Sequence, residues 1–389
     1  MDIIVEQKEP ARPSLRAFLE LAFRPLYLAG TAWALIAIGI WIYAPQVLTG
    51  PLQGIAWHAH EMLWGFVMTI AAAFLMTAGA TWTGINPLRN GALAIACVLW
   101  WVARLGFLAG GNELFWLAMA AELGFFLLAA VAMMRAVYRA RNARNYAVPW
   151  LLVGMGAADA LYLLAARGGD SMLLMQRFNA GLLVMALVAL LIARRVIPFF
   201  AMGAVAGLKI PMQTRTGQAQ LAAGAAAIVF LFAGLQDLTA VALGLAGALS
   251  LLQVATWKPY AVRRHPLLWI LYAGHAGLGI GLLMTACAAA GVDLPPALPV
   301  HMIAMAGFSV LIIGMVTRTA LGHLGRPLAA DRSMLVSYAL MLIAAALRLA
   351  AIAPSDFSLL ALHLSATAWI AALALYLWRF TPLMIRPRR

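Results

Sequence analysis

The sequence predicts an all-α polytopic membrane protein, and three observations support that fold class. First, 65% of the 389 residues are hydrophobic and only 10% are charged, whereas soluble chains carry about 25% charged residues. Second, the apolar residues form runs of about 20, the length that crosses a bilayer as a helix. Third, basic residues concentrate in every second loop. The composition excludes a soluble domain, a secreted disulfide scaffold and a disordered chain.

The apolar runs predict twelve transmembrane helices in a single domain over 26–380. In hydrocarbon each backbone N–H and C=O needs a partner within its own segment, so every run is expected to be helical. Residues 1–25 are interpreted as a cytoplasmic amphipathic segment and 381–389 as a basic cytoplasmic tail. Residues 195–217, which contain prolines and glycines, are interpreted as a short re-entrant or interfacial segment. The runs cover about 26–44, 57–80, 90–109, 113–138, 147–167, 171–194, 218–236, 239–257, 266–291, 298–320, 333–353 and 357–378.

The distribution of charge predicts the orientation of these spans. Of the 27 basic residues, 23 lie in the two terminal segments or in alternate loops, and the intervening loops are nearly uncharged. The positive-inside rule places the basic set in the cytoplasm. Both termini are then cytoplasmic and the number of spans is even, in agreement with twelve. A net charge of +14 does not indicate nucleic-acid binding, because the basic residues are spread between apolar runs.

Several ionisable side chains are predicted to share one depth near the outer ends of the spans. Intramembrane ionisable residues are functional candidates, and histidine is a common ligand of metals and haem. The simpler alternative for any one of them is a hydrogen-bonding residue at a helix end. The layer contains His58, His60, Glu61, Arg104, Glu122, Arg177, His301, Arg348 and His363. Asp159 and His275 are predicted to lie deeper in the membrane.

The densest group of such residues is the run Trp57-His58-Ala59-His60-Glu61-Met62. On a regular helix His58 and His60 point about 160° apart. Either the helix begins after His58, or the two histidines serve different partners. Glu61 is expected to orient a ligand histidine or to pair with an arginine. Met62 is a weaker candidate ligand, because most methionines in such helices are packing residues.

Two segments of the chain match in length to within one residue. One runs from His60 to Pro87-Leu88 and the other from His301 to Pro327-Leu328. The recurrence suggests three four-helix arcs. This looks like the architecture of haem-copper oxidase catalytic subunits, where outer-face histidines on helices 2 and 10 hold a haem. Spans 6 and 7 contain no histidine, so the copper-site histidines of that class are missing and oxygen reduction is not expected.

A longer set of motifs resembles the NnrS family, in that family's order and over about residues 20 to 380. The resemblance implies a haem- and copper-containing protein of the bacterial inner membrane that acts in the nitric-oxide response. Such proteins are associated with tolerance of nitrosative stress and with denitrification. The motifs are Phe23-Arg24-Pro25, the run from Trp57 to Met62, Trp82-Thr83-Gly84, Arg144-Asn145-Tyr146, Arg195-Val196-Ile197-Pro198, Trp257-Lys258-Pro259 and the run from Thr317 to Leu328.

The resemblance implies a haem b near the outer face. Its axial ligands are expected to be His58 or His60 together with His301. His363 is a third candidate, and it is also the candidate ligand of a copper ion. Nitric oxide or a related small molecule is the expected partner, besides lipid and an unidentified electron donor.

Arginines are expected to hold the haem propionates. The candidates are Arg104 and Arg348, unless they pair with carboxylates such as Glu61. The cytoplasmic pair His323 and Arg326 is a candidate second site.

Three classes of function remain open from the sequence. The first is a haem protein that handles nitric oxide; if it is an enzyme, it is a nitric-oxide-related oxidoreductase. The second is a proton- or ion-coupled transporter that uses Glu61, Glu122, Asp159 and His275. The third is a maturation factor that presents metal to another protein without redox chemistry of its own.

Overall fold

The structure, a computed structural model, describes residues 12–388. Residues 1–11 of the predicted amphipathic segment, and Arg389, lie outside the described part. The described residues form helices and turns, with no strand among them. Their twelve long helices are α1 Phe23–Tyr43, α2 Gly54–Thr83, α3 Asn90–Ala109, α4 Asn112–Arg139, α5 Val148–Gly168, α6 Ser171–Ala204, α7 Thr214–Phe232, α8 Gln236–Thr256, α9 Pro266–Ala289, α10 Ala297–His323, α11 Arg332–Ala350 and α12 Ser358–Met384.

Eleven of these helices are long and apolar enough to cross a membrane, which confirms the polytopic all-α class. The exception is α7, because its first turns carry the polar sequence from Thr214 to Gln220. This helix nevertheless packs between α6 and α8. The count of twelve spans stays a prediction, and so does the single-domain division.

The prediction of a separate short segment over 195–217 is wrong in its first part. Helix α6 is 34 residues long and continues through Pro198 to Ala204. Proline removes one hydrogen bond from the ladder, but membrane helices tolerate it where neighbouring groups satisfy the freed carbonyl. Within 195–217, only the residues between Ala204 and Thr214 lie outside the long helices α6 and α7.

Helices α2 and α10 share a local change of geometry. In each, eight residues immediately after a histidine form π-helix. The π segment of α2 is Glu61–Met68, which follows His60, and that of α10 is Met302–Ser309, which follows His301. Such turns are rare and are frequent at functional sites. The two segments that match in length therefore also match in backbone form, whereas the arrangement in three arcs stays a prediction.

The two ends of the described chain meet at one face of the bundle. The Ser14 N–H donates to the Ile385 carbonyl at 2.8 Å. The buried Arg24 guanidinium donates to the carbonyls of Met384 at 3.0 Å and Arg386 at 2.6 Å. Helix α12 thus continues into the segment predicted to be a tail, and both ends lie on the same side.

Candidate functional site

His58 and His60 serve different partners, which is the second of the two alternatives drawn from the sequence. Helix α2 begins at Gly54, so both histidines are helical and leave the backbone on opposite sides. His60 is completely buried among helices α3, α4 and α5. His58 stacks on Trp41 of α1 and lies within electrostatic range of His301 on α10 and Arg348 on α11.

Five buried side chains from helices α2 to α5 form what we call the inner cluster: His60, Glu61, Arg104, Glu122 and Asp159. The His60 Nδ1 lies 2.9 Å from Glu61 Oε1. The His60 Nε2 lies 3.0 Å from Asp159 Oδ1 and 3.3 Å from Glu122 Oε2. The imidazole therefore bridges three carboxylates, and both of its ring nitrogens are engaged.

Arg104 pairs with two of the three carboxylates of the inner cluster. Its Nη1 donates to Glu61 Oε2 at 2.6 Å, and its Nη2 forms an ion pair with Glu122 Oε2. The Trp33 indole N–H also donates to Glu61 Oε2. A buried guanidinium is retained where two carboxylates compensate its charge, since an unpaired charge in an apolar interior is very unfavourable. Of the two roles expected for Arg104, it therefore has the ion pair with carboxylates and is not available to hold a haem propionate.

Aromatic rings enclose the His60 imidazole. The ring centroid of Trp64 lies 5.5 Å away and that of Tyr162 5.9 Å away, both nearly parallel to the imidazole. Phe107 meets it edge-on at 4.8 Å. These walls exclude water, and electrostatic interactions inside such a low-dielectric environment are stronger than at a surface.

Three donor atoms of the inner cluster are close enough to hold one metal ion. The donor atoms of His60, Glu122 and Asp159 all lie within 4.8 Å of one another, and all three residues are buried. The second carboxylate oxygen of Asp159, Oδ2, is buried and has no hydrogen-bond partner among residues 12–388. Buried polar atoms are normally satisfied, so this oxygen requires an explanation.

A second group lies at the end of the bundle opposite the chain termini, and we call it the outer histidines: His58, His301 and His363. The ring of His58 stacks on Trp41 with centroids 4.9 Å apart, and it lies within electrostatic range of His301 and Arg348. Its Nδ1 is buried and has no hydrogen-bond partner within the described chain.

The other two outer histidines have matching hydrogen bonds. The His301 Nδ1 is 2.7 Å from the Ala297 carbonyl, and the His363 Nδ1 is 2.8 Å from the Leu359 carbonyl. A ring nitrogen that faces a carbonyl must carry the proton, which leaves Nε2 as the basic nitrogen. Histidines that bind metals are commonly oriented in this way.

Arg348 is the basic residue of this outer region. It lies within electrostatic range of both His58 and His301. Over residues 12–388 it has no carboxylate within ion-pair distance and no hydrogen bond. Unlike Arg104, it is available to an anionic group.

The remaining predicted residues lie apart from both groups. His275 is buried between α8 and α9, where its Nε2 is 3.2 Å from Gln253 Oε1 and its ring stacks on Trp257 at 5.0 Å. Met62 packs against the apolar core. His323 stacks near the Phe23 ring at the face that holds the chain termini, with centroids 5.5 Å apart.

Arg326 lies in the turn that follows His323. Its backbone N–H donates to the Leu321 carbonyl at 2.9 Å. This loop is therefore at the opposite end of α10 from His301, as the residue count along that helix predicts.

The sequence predicted Glu122 and Asp159 as residues of a proton or ion path, and not as ligands of a haem or a metal ion. Both are intramembrane carboxylates, and that signal alone marked them as candidates. Asp159 was expected to lie deeper than His60, yet the two side chains are in contact. Helix α2 begins at Gly54, three residues before the predicted span, so His60 lies nearly two turns inside the helix rather than at its first turn.

The fold and its two groups of ionisable residues define a polytopic membrane protein with a buried ion-pair network and histidines near one end. A profile of the NnrS protein family matches residues 17–388, nearly the whole chain. The chain belongs to the NnrS family. No curated protein sequence matches it.

Proposed function

We propose that the chain is a bacterial inner-membrane protein that binds haem b at the outer histidines and handles nitric oxide there in nitrosative-stress tolerance. One observation supports the proposal: His58 and His301 lie within electrostatic range of each other, and among the described residues the His58 Nδ1 has no hydrogen-bond partner while the His301 Nδ1–H bond leaves its Nε2 basic. Family membership agrees with this assignment.

The residues present fit a haem. The buried Nδ1 of His58 lacks a partner in the described chain, and the hydrogen bond of His301 leaves its Nε2 basic. Both ring nitrogens of His60 are engaged, which favours His58 over His60 as the partner of His301. A bound haem would supply an iron centre whose reactivity the surrounding pocket controls.

Arg348 would hold a haem propionate. A guanidinium forms two parallel hydrogen bonds to a carboxylate, and Arg348 has no competing carboxylate among residues 12–388. Arg104 does not fit this role, because its guanidinium already forms ion pairs with Glu61 and Glu122.

A copper ion would be held near His363. The hydrogen bond from its Nδ1 to the Leu359 carbonyl leaves Nε2 as a ligand atom, and imidazole is a suitable copper ligand. The nearest aromatic neighbour is Tyr43, with ring centroids 5.7 Å apart. Copper analysis of purified His363→Ala protein against wild type tests this part, and equal copper contents would contradict it.

The orientation of the bundle agrees with a haem on the periplasmic side. The described ends of the chain meet at one face, which requires an even number of crossings. Because eleven helices are clear candidates, we infer that α7 is the twelfth. The positive-inside rule then makes the shared face cytoplasmic. Cysteine introduced at Ser355 should react with an impermeant maleimide in intact spheroplasts, whereas cysteine at Ser14 should require permeabilisation.

The absorption spectrum of the purified, dithionite-reduced protein tests haem binding. The wild type should show a Soret band with b-type α and β bands. His58→Ala and His301→Ala should lose or shift these bands while they elute as folded monodisperse protein. His275→Ala is the control, because His275 is a buried histidine that lies between other helices, away from His58 and His301. Loss of the bands in the control alone would contradict the assignment of ligands.

The inner cluster favours a second candidate, a proton- or ion-coupled transporter. Glu61, Glu122 and Asp159 meet within one buried network, which is a common composition for an ion-coupling site. His275 does not join that network. Ion flux into proteoliposomes made with haem-free protein would support this candidate over the first, and flux that survives Asp159→Asn would argue against it.

A further inference from the structure

We propose that the inner cluster is a binding site for one divalent first-row metal ion, such as Mn²⁺ or Fe²⁺, with His60, Glu122 and Asp159 as ligands and Glu61 as the residue that orients the histidine. The proposal is independent of the haem at the outer histidines. It rests on the positions of the donor atoms, on the hydrogen bonds behind them and on the charge of the cluster.

The donor atoms have the spacing of a metal site. Ligand atoms about 2.1 Å from a tetrahedral metal lie about 3.4 Å from one another. The His60 Nε2 lies 3.0 Å from Asp159 Oδ1 and 3.3 Å from Glu122 Oε2. Side-chain shifts of a few tenths of an ångström would therefore admit an ion between them. The unpartnered Asp159 Oδ2 is available as an additional donor.

The histidine is already held as a ligand. Its Nδ1 faces Glu61 Oε1 at 2.9 Å, and its Nε2 faces Asp159 Oδ1 and Glu122 Oε2. A metal ion would therefore replace the proton on Nε2, while Glu61 continues to accept from the Nδ1 N–H. A carboxylate behind a histidine fixes its tautomer and raises its basicity toward a metal. Trp33 and Arg104 in turn hold the other oxygen of Glu61, which leaves the carboxylate little freedom to rotate.

The charge of the inner cluster requires a cation or protons. Three carboxylates and one guanidinium leave a formal charge of −2 when the imidazole is neutral. All five side chains are buried, where an uncompensated charge is strongly unfavourable. One divalent ion neutralises the cluster. Arg104 does not block it, because a carboxylate oxygen such as Glu122 Oε2 has two lone pairs and can face two cations.

The donor set favours particular metals. One imidazole and two carboxylates are nitrogen and oxygen donors, which suit Mn²⁺, Fe²⁺ and Zn²⁺, whereas a copper(I) site would use thiolate or thioether ligands. The candidate donors named here include no sulfur atom. Mn²⁺ is the practical probe, because its free and bound forms differ in electron paramagnetic resonance.

The test is a titration of chelator-treated full-length protein with Mn²⁺, followed by the resonance of free Mn²⁺. The wild type should bind one ion per chain. Glu122→Gln and Asp159→Asn should each weaken binding at least tenfold, and Glu61→Gln about tenfold. Glu113→Gln is the matched control: it makes the same change on α4 at an exposed position and should bind as the wild type does.

Two results would overturn the proposal. One is wild-type protein with no saturable Mn²⁺ binding, and the other is Glu122→Gln protein that binds as tightly as the wild type. If the variants do not fold, pulsed electron paramagnetic resonance of the Mn²⁺-loaded wild type decides the matter. It should reveal nitrogen coupling from a single imidazole, and a spectrum without that coupling would contradict the assignment of His60.

Discussion

His60 and Asp159 are 99 residues apart in the sequence, and the Nε2 of the histidine lies 3.0 Å from the Oδ1 of the aspartate. This contact joins α2 to α5 inside the bundle, and Glu61, Arg104 and Glu122 complete the network around it. The two histidines of one short motif thus belong to two different sites. His60 belongs to the buried inner cluster, and His58 belongs to the outer group.

Arg104 should be essential for the stability of the inner cluster. Arg104→Met leaves Glu61 and Glu122 without their counter-charge in an apolar interior, and breaking a buried pair in this way costs about 3–5 kcal/mol. The melting temperature in detergent should therefore fall by roughly 5 °C or more. Arg348→Met, which removes no ion pair within the described chain, should change it little; equal losses in the two variants would contradict the role given to Arg104.

Gly65 should be required because the absence of a side chain there leaves room for the Arg104 guanidinium. A Cβ at this position would overlap Arg104 Nη1 and would lie 2.7 Å from Glu61 Oε2. Gly65→Ala should therefore lower stability by about 1–3 kcal/mol. Gly39→Ala is the control, since a Cβ there meets nothing within 4 Å. Calorimetry of both variants in the same detergent makes the comparison, and a stable Gly65→Ala protein would mean that Arg104 takes another path.

Much of the fold follows from the sequence because the membrane imposes its own rules. Apolar runs of spanning length predicted most of the helices to within a few residues, and the helical period separated His58 from His60. Helix α6 is the main exception, because it extends ten residues past the predicted end at residue 194. The inner cluster was harder to predict because it depends on depth. Helix α2 begins three residues before the predicted span, and His60 contacts Asp159 although the sequence placed the two residues at different depths. The π segment after His60 could not be predicted from the hydrophobic periodicity of the sequence. The sequence also does not predict which helices are neighbours, because that depends on how they pack.

Arg348 should affect haem content without affecting the fold. Arg348→Met removes the candidate propionate partner, so purified protein should retain severalfold less haem per chain, as measured by pyridine haemochrome. Arg348→Lys should retain an intermediate amount, because it keeps the charge and loses the paired hydrogen bonds. Arg167→Met is the control, since Arg167 is exposed at the outer end of α5. Normal haem content in Arg348→Met would remove Arg348 from the haem site.

Asp331 should make the junction between α11 and α12 sensitive to acid. Partial burial raises the pKa of Asp331, but hydrogen bonds from Ser333, Arg379 and the Met334 N–H lower it by more. The net result is a pKa below the ordinary value of 3.8. A lowered folded pKa means that the stabilisation is full above the ordinary value and is lost as the pH falls through the folded value.

The corresponding measurement is the melting temperature as a function of pH. The wild type should lose stability below about pH 4, and Asp331→Asn should show a shallower dependence because it has no carboxylate to protonate. The effect should be small, about 1 kcal/mol for the helix cap, since the exposed ion pair with Arg379 is screened by solvent. Identical slopes for both proteins would show that Asp331 does not contribute to the acid sensitivity.

The central claim is that His58 and His301 hold a haem at which nitric oxide binds. The most direct test is an anaerobic titration of the reduced, purified wild-type protein with nitric oxide, followed in the Soret region. The account predicts a saturable shift of the Soret band at one nitric oxide per haem. Protein that is pure and folded but has no Soret band, or whose band does not respond to nitric oxide, would contradict the account.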